Sequence, residues 1–576
     1  MVVKHNHQLG PNTFHLLVRS TAPDNAEEPA LSSGTLPKSL LDQSNSAIEE
    51  LRDHLRAFLQ HHEQHQATPD RLGTNAPKPL IKLALNIHGY STPLLTFASN
   101  AYEISDAKFN ADLNRIPSGG EREEPVPLDD YVIFIDYSWP SEHALSLPVI
   151  GSLRAMPMAL WLVLLLAVIA GICGWPFVCG GLIGLVGTLL LLRQVTYFRD
   201  RERAAGYGVY DGVELVRWMH RLIKSTHEET IKDSDQEADV ELNIMAHSMG
   251  CFVSTQLVRT LCNVFDPAAM RHLDQSFGPF AEVDPCGAPT STPTKQEQND
   301  LRRIGTLFTL GQLVLAAPDI PIWELSSGRS NALLASLRRF KEVFIFSNDA
   351  DMVLRLASTL ANFFVFPSET RQGGYRLGNI VDTGSASDGP SESIQRHGRH
   401  RVSFRELGFH GLRSGLGLTR FNRIADQPFY ARLADGAELR IINCTDYRDL
   451  QDVFELMKSK KDPSQKHEEL IRIFQNKQAD NASTDMARLY SPRLAASGCG
   501  RGTIQRYLQT LIQHFITKKL DSHGGYFQGP FCLDLLYQLL LWGSEPTEPG
   551  SPQFPSDGQL QNYGLTWNSV FRPEEC

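Results

Sequence analysis

The feature that most constrains the fold is a serine that lies between a strand pattern and a helical pattern. Residues Val240 to Met245 alternate as a β-strand does, and an apolar helical pattern begins at Cys251. Between them lies Ala246-His247-Ser248-Met249-Gly250, which differs from the G-x-S-x-G nucleophile elbow only at its first residue. Alanine is small enough for this tight strand-to-helix turn. The segment therefore predicts a nucleophilic Ser248 at a sheet edge, and the alternative is a serine that caps a helix.

Composition excludes several other kinds of protein. The chain has 576 residues, of which 42% are hydrophobic and 21% charged, as expected of a globular protein with a large core. A net charge of −10 without a basic stripe argues against a nucleic-acid partner. The nine cysteines form no CxxC pair or regular spacing, which favours a reducing compartment over a disulfide framework or a zinc site. No metal and no other cofactor is predicted.

Strand patterns alternate with helical patterns along most of the chain, and this predicts an α/β fold with a mostly parallel, doubly wound sheet. The predicted strands are 14–18, 81–87, 131–137, 240–246, 312–317, 343–346 and 439–443. The clearest predicted helices are 38–65, 207–224 and 531–542.

A second motif follows the strand at 81–87, which runs directly into His88-Gly89-Tyr90. Glycine allows a turn that exposes a backbone N–H, and acyl-transfer enzymes of the elbow type keep part of their oxyanion hole after such a strand. The predicted donors are therefore the N–H of Met249 and an N–H of Gly89 or Tyr90. The alternative is an ordinary glycine turn at a strand end.

The partners of the serine are predicted from chain order, which in elbow enzymes is serine, acid, histidine. Asp349 and Asp351 both follow the strand at 343–346, so either can be the acid. His523 lies beyond the last predicted strand and is the predicted base, with His410 as the alternative. Together these residues predict a Ser-His-Asp triad that works through an acyl-enzyme.

The most unusual stretch is Ala155 to Leu192, which carries no charged residue. A membrane helix needs about 20 apolar residues. Gly174-Trp175-Pro176 interrupts the run, and strands on both sides of it should join one sheet. We therefore predict a transmembrane hairpin with spans at about 156–173 and 176–192. The alternative is a buried helical pair or an apolar lid of a soluble enzyme.

Basic residues flank both ends of the apolar run: Arg154, Arg193, Arg199, Arg201 and Arg203. The positive-inside rule then predicts a multi-pass protein of the inner membrane whose catalytic domain faces the cytoplasm. If the substrate is a lipid, the active site and the apolar run Ala155 to Leu192 should lie at the same edge of the fold.

The predicted organisation has seven parts. They are an N-terminal extension with one helix (1–75), the first part of the α/β domain (76–150), the hairpin insertion (151–196), the rest of that domain with flexible loops at 265–299 and 380–400 (197–446), a helical insertion interpreted as a lid (447–520), the histidine loop and last helix (521–544), and a flexible tail (545–576).

Several motifs together resemble a known family. They are His88-Gly89-Tyr90 with Phe97, Trp139-Pro140-Ser141, Ala246 to Gly250, Leu315 to Asp319, Asp351 to Leu354, and His523 with Tyr526. In this order they resemble the α/β-hydrolase group catalogued as domain of unknown function 900, which is esterase- or lipase-like. The resemblance covers roughly 80–360 and the His523 region. It implies an α/β-hydrolase fold with serine-hydrolase chemistry, and it favours Asp351 over Asp349 as the acid.

The predicted function is therefore a membrane-anchored serine hydrolase that cleaves a carboxylic ester or thioester. Its predicted partners are a small-molecule or lipid ester and the membrane, with an acyl or lipid ester favoured. One alternative is an acyltransferase of the same fold, and another is a non-catalytic membrane scaffold.

Overall fold

The structure is a computed structural model, and its helices and strands are described over part of the chain. The described residues are 2–8, 12–20, 38–66, 80–90, 92, 101–113, 130–141, 197–231, 239–262, 302–305, 307–321, 337, 339–348, 351, 353–358, 376–379, 381–382, 402–403, 438–444, 447, 449–450, 452–476, 489–490, 523–544 and 554–569.

Within the described residues, one mixed sheet of ten strands forms the centre of the molecule. The strands are β1 (Val2–Gln8), β2 (Thr13–Arg19), β3 (Leu80–Ile87), β4 (Tyr131–Ser138), β5 (Asp239–His247), β6 (Arg303–Ile304), β7 (Phe308–Ala316), β8 (Glu342–Ser347), β9 (Glu438–Asn443) and β10 (Thr566–Ser569). Their order is β1-β2-β4-β3-β5-β7-β8-β9-β10, with β6 paired to β7. In this spatial order, all neighbouring strands between β2 and β9 pair in parallel. The strands β1, β6 and β10 are antiparallel to their neighbours.

The central strands are buried on both faces, as parallel strands between helices usually are. In β3, Leu83 and Leu85 join the core on one face, while Ala84 joins the core on the other. In β4, Ile133 and Phe134 divide between the two faces in the same way. This two-residue period follows from the alternation of side chains along a strand.

Helices cover both faces of the sheet, so the predicted α/β class is confirmed. One face carries α1 (Lys38–Gln66), α3 (Val209–Thr230) and α4 (Met249–Leu261). The other face carries α2 (Glu103–Leu113), α5 (Asp452–Lys458), α6 (Pro463–Asn476), α7 (Pro530–Trp542) and the short α8 (Asp557–Asn562). The carboxyl ends of β3, β5, β7 and β8 lie together at one edge of the sheet.

Two parts of the predicted organisation need correction. The 1–75 extension is not separate from the sheet, because β2 pairs in parallel with β4 and β1 pairs with β2. The predicted flexible tail is wrong for 554–569, where α8 begins at a capping box on Ser556 and β10 pairs with β9. The polar β1 and the four-residue β10 lack the apolar alternation that marks the other strands.

Other predictions fall on residues outside the described ranges. They include the spans at 156–173 and 176–192, the loop at 265–299 and most of the loop at 380–400. Among the described helices, none combines the length and apolar character that crossing a membrane requires. In the 447–520 insertion, α6 packs on α2, and the lid stays a prediction because 491–520 is not described.

Candidate active site

Ser248 lies in a strained turn between β5 and α4. Its backbone has φ 54° and ψ −122°, a conformation that residues with a side chain rarely adopt. Three backbone hydrogen bonds hold it there: its N–H donates to Ala316 O at 2.9 Å, and its carbonyl accepts from Cys251 and Asp319 N–H, each at 3.1 Å. Strain of this kind costs about 1–3 kcal/mol and is typical of functional sites.

Two glycines allow the chain to approach this turn closely. A Cβ on Gly250 would lie 2.4 Å from His88 O and 2.5 Å from Ile87 O, so only glycine lets α4 pass the end of β3. A Cβ on Gly89 would lie 2.8 Å from the Cβ of Ser248. The glycines of both sequence motifs therefore pack the elbow against the loop after β3.

The structure brings Ser248, Asp351 and His523 into one hydrogen-bonded line. His523 Nε2 lies 2.8 Å from Ser248 Oγ, and His523 Nδ1 lies 2.6 Å from Asp351 Oδ2. Ser248 and Asp351 are buried, and the His523 side chain is only 11% exposed. Because a carboxylate only accepts hydrogen bonds, Nδ1 carries the proton and the Nε2 lone pair faces the serine hydroxyl.

The carboxylate of Asp351 is fixed independently of the histidine. Its Oδ1 accepts hydrogen bonds from the N–H groups of Val353 and Leu354, both at 3.0 Å, at the start of a π-helical turn. One carboxylate oxygen is thus held by the backbone, and the other is left for His523. The alternative acid Asp349 and the alternative base His410 both lie outside the described residues.

The predicted oxyanion donors lie around Ser248. Met249 begins α4 directly after the serine and is buried. The first N–H groups of a helix have no partner within the helix, so they are available to an anion. Gly89 packs against the side chain of Ser248, and the Tyr90 ring packs edge-on against Tyr197 at 5.8 Å.

His88 organises the loop that carries Gly89. Its ring stacks on Trp139 at 5.3 Å, and the Trp139 indole N–H donates to His88 O at 2.7 Å. Burial lowers the pKa of His88 to about 4, so the ring is neutral near pH 7. Nδ1 lies 2.9 Å from Gly89 O, and Nε2 lies 3.2 Å from Trp139 O and 3.3 Å from Ser138 Oγ. A neutral imidazole donates from only one of its two nitrogens.

The stability of the protein should therefore fall in mild acid because of His88. Unfolded His88 binds a proton below about pH 6.5, whereas folded His88 does so only near pH 4, so stability decreases as the pH falls through this window. This pKa shift corresponds to about 3 kcal/mol in the free energy of unfolding. Denaturant unfolding at pH 7 and pH 4 should show a smaller pH dependence for His88→Gln than for the wild type. Equal pH dependence in both proteins would contradict this role of His88.

Asp319 also follows a strand of the sheet, β7, but its carboxylate is paired away from His523. Its Oδ1 lies 3.0 Å from Arg376 Nε, and its Oδ2 accepts from Tyr197 OH at 2.9 Å and Ser358 Oγ at 3.0 Å. Asp319 and Arg376 are both almost fully buried. This network supports the elbow through the hydrogen bond from Asp319 N–H to Ser248 O.

Sequence reasoning missed the partners of Asp319 and a contact of His247. Tyr197, Ser358 and Arg376 are far from Asp319 in the chain, and no motif marks them. His247 Nε2 lies 2.9 Å from the carbonyl oxygen of His523, a contact that no sequence pattern indicates. Its position beside the serine was the only available signal.

Two further observations bear on the chemistry of the site. In the part of the chain that the structure describes, no group of three or more His, Cys, Asp or Glu side chains is arranged to hold a metal ion. Neither a family model, nor a curated protein, nor a solved structure matches this chain. The case for a function therefore rests on the geometry of Ser248, His523 and Asp351.

Proposed function

We propose that this protein is a serine hydrolase of the α/β-hydrolase fold that cleaves a carboxylic ester or thioester. The observation that carries the proposal is the line from Asp351 through His523 to Ser248, with hydrogen bonds of 2.6 and 2.8 Å. The strained φ of Ser248 and its place at the carboxyl edge of a mostly parallel sheet support the same conclusion.

In the proposed acylation step, Ser248 Oγ attacks the substrate carbonyl carbon while His523 Nε2 takes the hydroxyl proton. Asp351 stabilises the resulting imidazolium and keeps the ring in its orientation. When the tetrahedral intermediate collapses, the bond to the leaving oxygen or sulfur breaks and His523 returns the proton to the leaving group. A water molecule, deprotonated by His523, then attacks the carbonyl carbon of the acyl-enzyme. When this second tetrahedral intermediate collapses, the bond to Ser248 Oγ breaks, His523 returns the proton to Oγ, and the carboxylic acid leaves.

The negative charge of the tetrahedral intermediate needs donors that are already oriented. The N–H of Met249 and an N–H from Gly89 or Tyr90 are the proposed donors, because Met249 directly follows Ser248 at the start of α4 and Gly89 packs against the serine side chain. Removing one such donor typically costs about 3–4 kcal/mol of transition-state stabilisation.

The described residues on either side of the apolar run favour a substrate that is taken from a bilayer. Before the run, Ser141 accepts a hydrogen bond from Thr92 N–H at 3.1 Å, in the loop that continues from Gly89. After the run, Tyr197 contacts Tyr90 and donates to Asp319. Ser141 and Tyr197, the described residues that flank 142–196, therefore both contact the loop that follows β3. This supports a membrane-anchored enzyme and an acyl or lipid ester as substrate.

A non-catalytic scaffold that keeps the fold is the less favoured function. A scaffold has no need to hold His523 within 2.8 Å of Ser248 Oγ or to bury Asp351 behind it. We also propose that the resemblance to the group catalogued as domain of unknown function 900 reflects shared serine-hydrolase chemistry.

Ester hydrolysis by the full-length chain reconstituted in vesicles tests the proposal. The panel contains a soluble short-chain ester, a soluble thioester and a long-chain glycerol ester in the bilayer. We expect turnover of at least one substrate, highest for the bilayer ester, and almost complete loss with Ser248→Ala. Equal activity of Ser248→Ala and wild type would contradict the proposed nucleophile. Turnover of the soluble esters alone would reject the lipid substrate and keep the hydrolase.

A further inference from the structure

His247 connects three parts of the proposed site. It is the last residue of β5 and directly precedes Ser248. Its Nε2 lies 2.9 Å from the carbonyl oxygen of His523, and the two imidazole rings are 4.9 Å apart. The ring also meets Phe527 edge-on at 5.1 Å, on the short helical turn that follows the His523 loop.

His247 also packs against the loop after β3. A Cβ added to Gly89 would lie 2.8 Å from His247 Nδ1 and 3.0 Å from its carbonyl oxygen. The imidazole therefore lies close to Gly89, a proposed source of an oxyanion donor, as well as to His523. One side chain thus contacts the loops that carry the base and the oxyanion donor.

The hydrogen bond assigns a tautomer to His247. A backbone carbonyl oxygen only accepts, so Nε2 of His247 carries the proton and donates it to His523 O. The bond fixes the backbone of His523, whereas the bonds to Asp351 and Ser248 fix its ring. Without it, the peptide carbonyl of His523 would lose the donor that orients the loop.

We propose that His247 is a positioning residue that holds the His523 backbone and the Gly89 loop in register with Ser248. The inference rests on the proposed hydrolase function and deepens it. His247 does not itself exchange a proton with the substrate, and it acts through the placement of His523. Displacement of a catalytic group by about 1 Å can lower the rate about 100-fold, so a single lost hydrogen bond can have a large effect here.

Two substitutions separate the hydrogen bond from the packing. His247→Phe keeps a ring and removes the donor, whereas His247→Gln keeps an N–H donor at the position of Nε2. The matched control is His220→Phe, which replaces a half-buried histidine of α3 that packs on Phe308, the first residue of β7. The measurements are kcat and KM for a soluble ester, the labelling rate with a fluorophosphonate, and the melting temperature.

The expected result is a split between kcat and KM. His247→Phe should lower kcat and the labelling rate about 100-fold while KM changes less than about 3-fold. His247→Gln should recover most of kcat, and His220→Phe should retain it. Melting temperatures of the two His247 variants should agree, because both fill the space between Gly89 and Phe527.

Three outcomes would overturn the inference. In the first, His247→Phe keeps the kcat of the wild type. In the second, His247→Gln loses as much kcat as His247→Phe, which shows that packing and not the donor matters. In the third, kcat falls only in parallel with the melting temperature. Failure of the hydrolase proposal itself is recognisable separately, because the wild type would then show neither turnover nor labelling.

Discussion

Replacing Asp351 by asparagine is expected to lower kcat about 10⁴-fold while the protein stays folded. Asp351 accepts a hydrogen bond from the Nδ1–H of His523 at 2.6 Å and is fully buried. An asparagine amide would donate to Nδ1 instead, and this would turn the imidazole to the tautomer that has a proton facing Ser248. The serine would then lack a base. Initial rates with a soluble ester, together with the melting temperature, measure both parts of the expectation.

Asp319 provides the matched control for this prediction. It is also a buried aspartate after a strand of the same sheet, but its oxygens are bound to Arg376, Tyr197 and Ser358. Asp319→Asn should therefore destabilise the protein and leave kcat of the folded fraction within about 10-fold of the wild type, since it reaches Ser248 only through a backbone N–H. If Asp319→Asn lost more kcat than Asp351→Asn, the assignment of the acid would be wrong.

Replacing Arg376 by methionine is expected to lower the free energy of unfolding by about 3–5 kcal/mol. The Arg376 and Asp319 side chains are each only 2% exposed, and Nε lies 3.0 Å from Oδ1. Methionine would leave the Asp319 charge buried with two neutral hydroxyl donors and without the guanidinium that pairs with it. Arg376 also donates to Ser358 O at 3.0 Å, so the loop after β8 would lose a further bond.

Denaturant unfolding measures this cost directly. The control is Arg217→Met, which removes an ion pair to Glu214 on the surface of α3, where the two side chains are 61% and 49% exposed. Exposed pairs of this kind contribute about 0–1 kcal/mol, so the control should unfold almost as the wild type does. Similar losses for Arg376→Met and Arg217→Met would mean that the buried pair is not the structural support inferred for the elbow.

Much of the sheet could be predicted from the sequence, because its central strands are apolar on both faces. Each strand predicted between residue 14 and residue 443 overlaps a strand of the sheet. Val2–Gln8 could not be predicted, since its lysine, histidines and glutamine hide the pattern and only the pairing with β2 defines it. Thr566–Ser569 is four residues long and pairs at the opposite edge of the sheet.

The candidate site was predictable where a motif or chain order constrains it. Ser248 follows from its turn. Chain order led to His523 and left Asp349 and Asp351 open as the acid, and only the family resemblance favoured Asp351. The structure brings Ser248, Asp351 and His523 within hydrogen-bond distance. The supporting contacts could not be predicted. The bond from His247 to His523 O joins residues 276 positions apart, and only the folded chain defines such a distance.

Fluorophosphonate labelling of the purified full-length protein tests the central claim most directly. The serine oxygen attacks the phosphorus and fluoride leaves, a reaction that requires a base next to the hydroxyl and no knowledge of the substrate. We expect labelling of the wild type at Ser248, in detergent or in lipid, and no labelling of Ser248→Ala. A wild-type protein that stays unlabelled in both environments would contradict an activated serine and favour the scaffold.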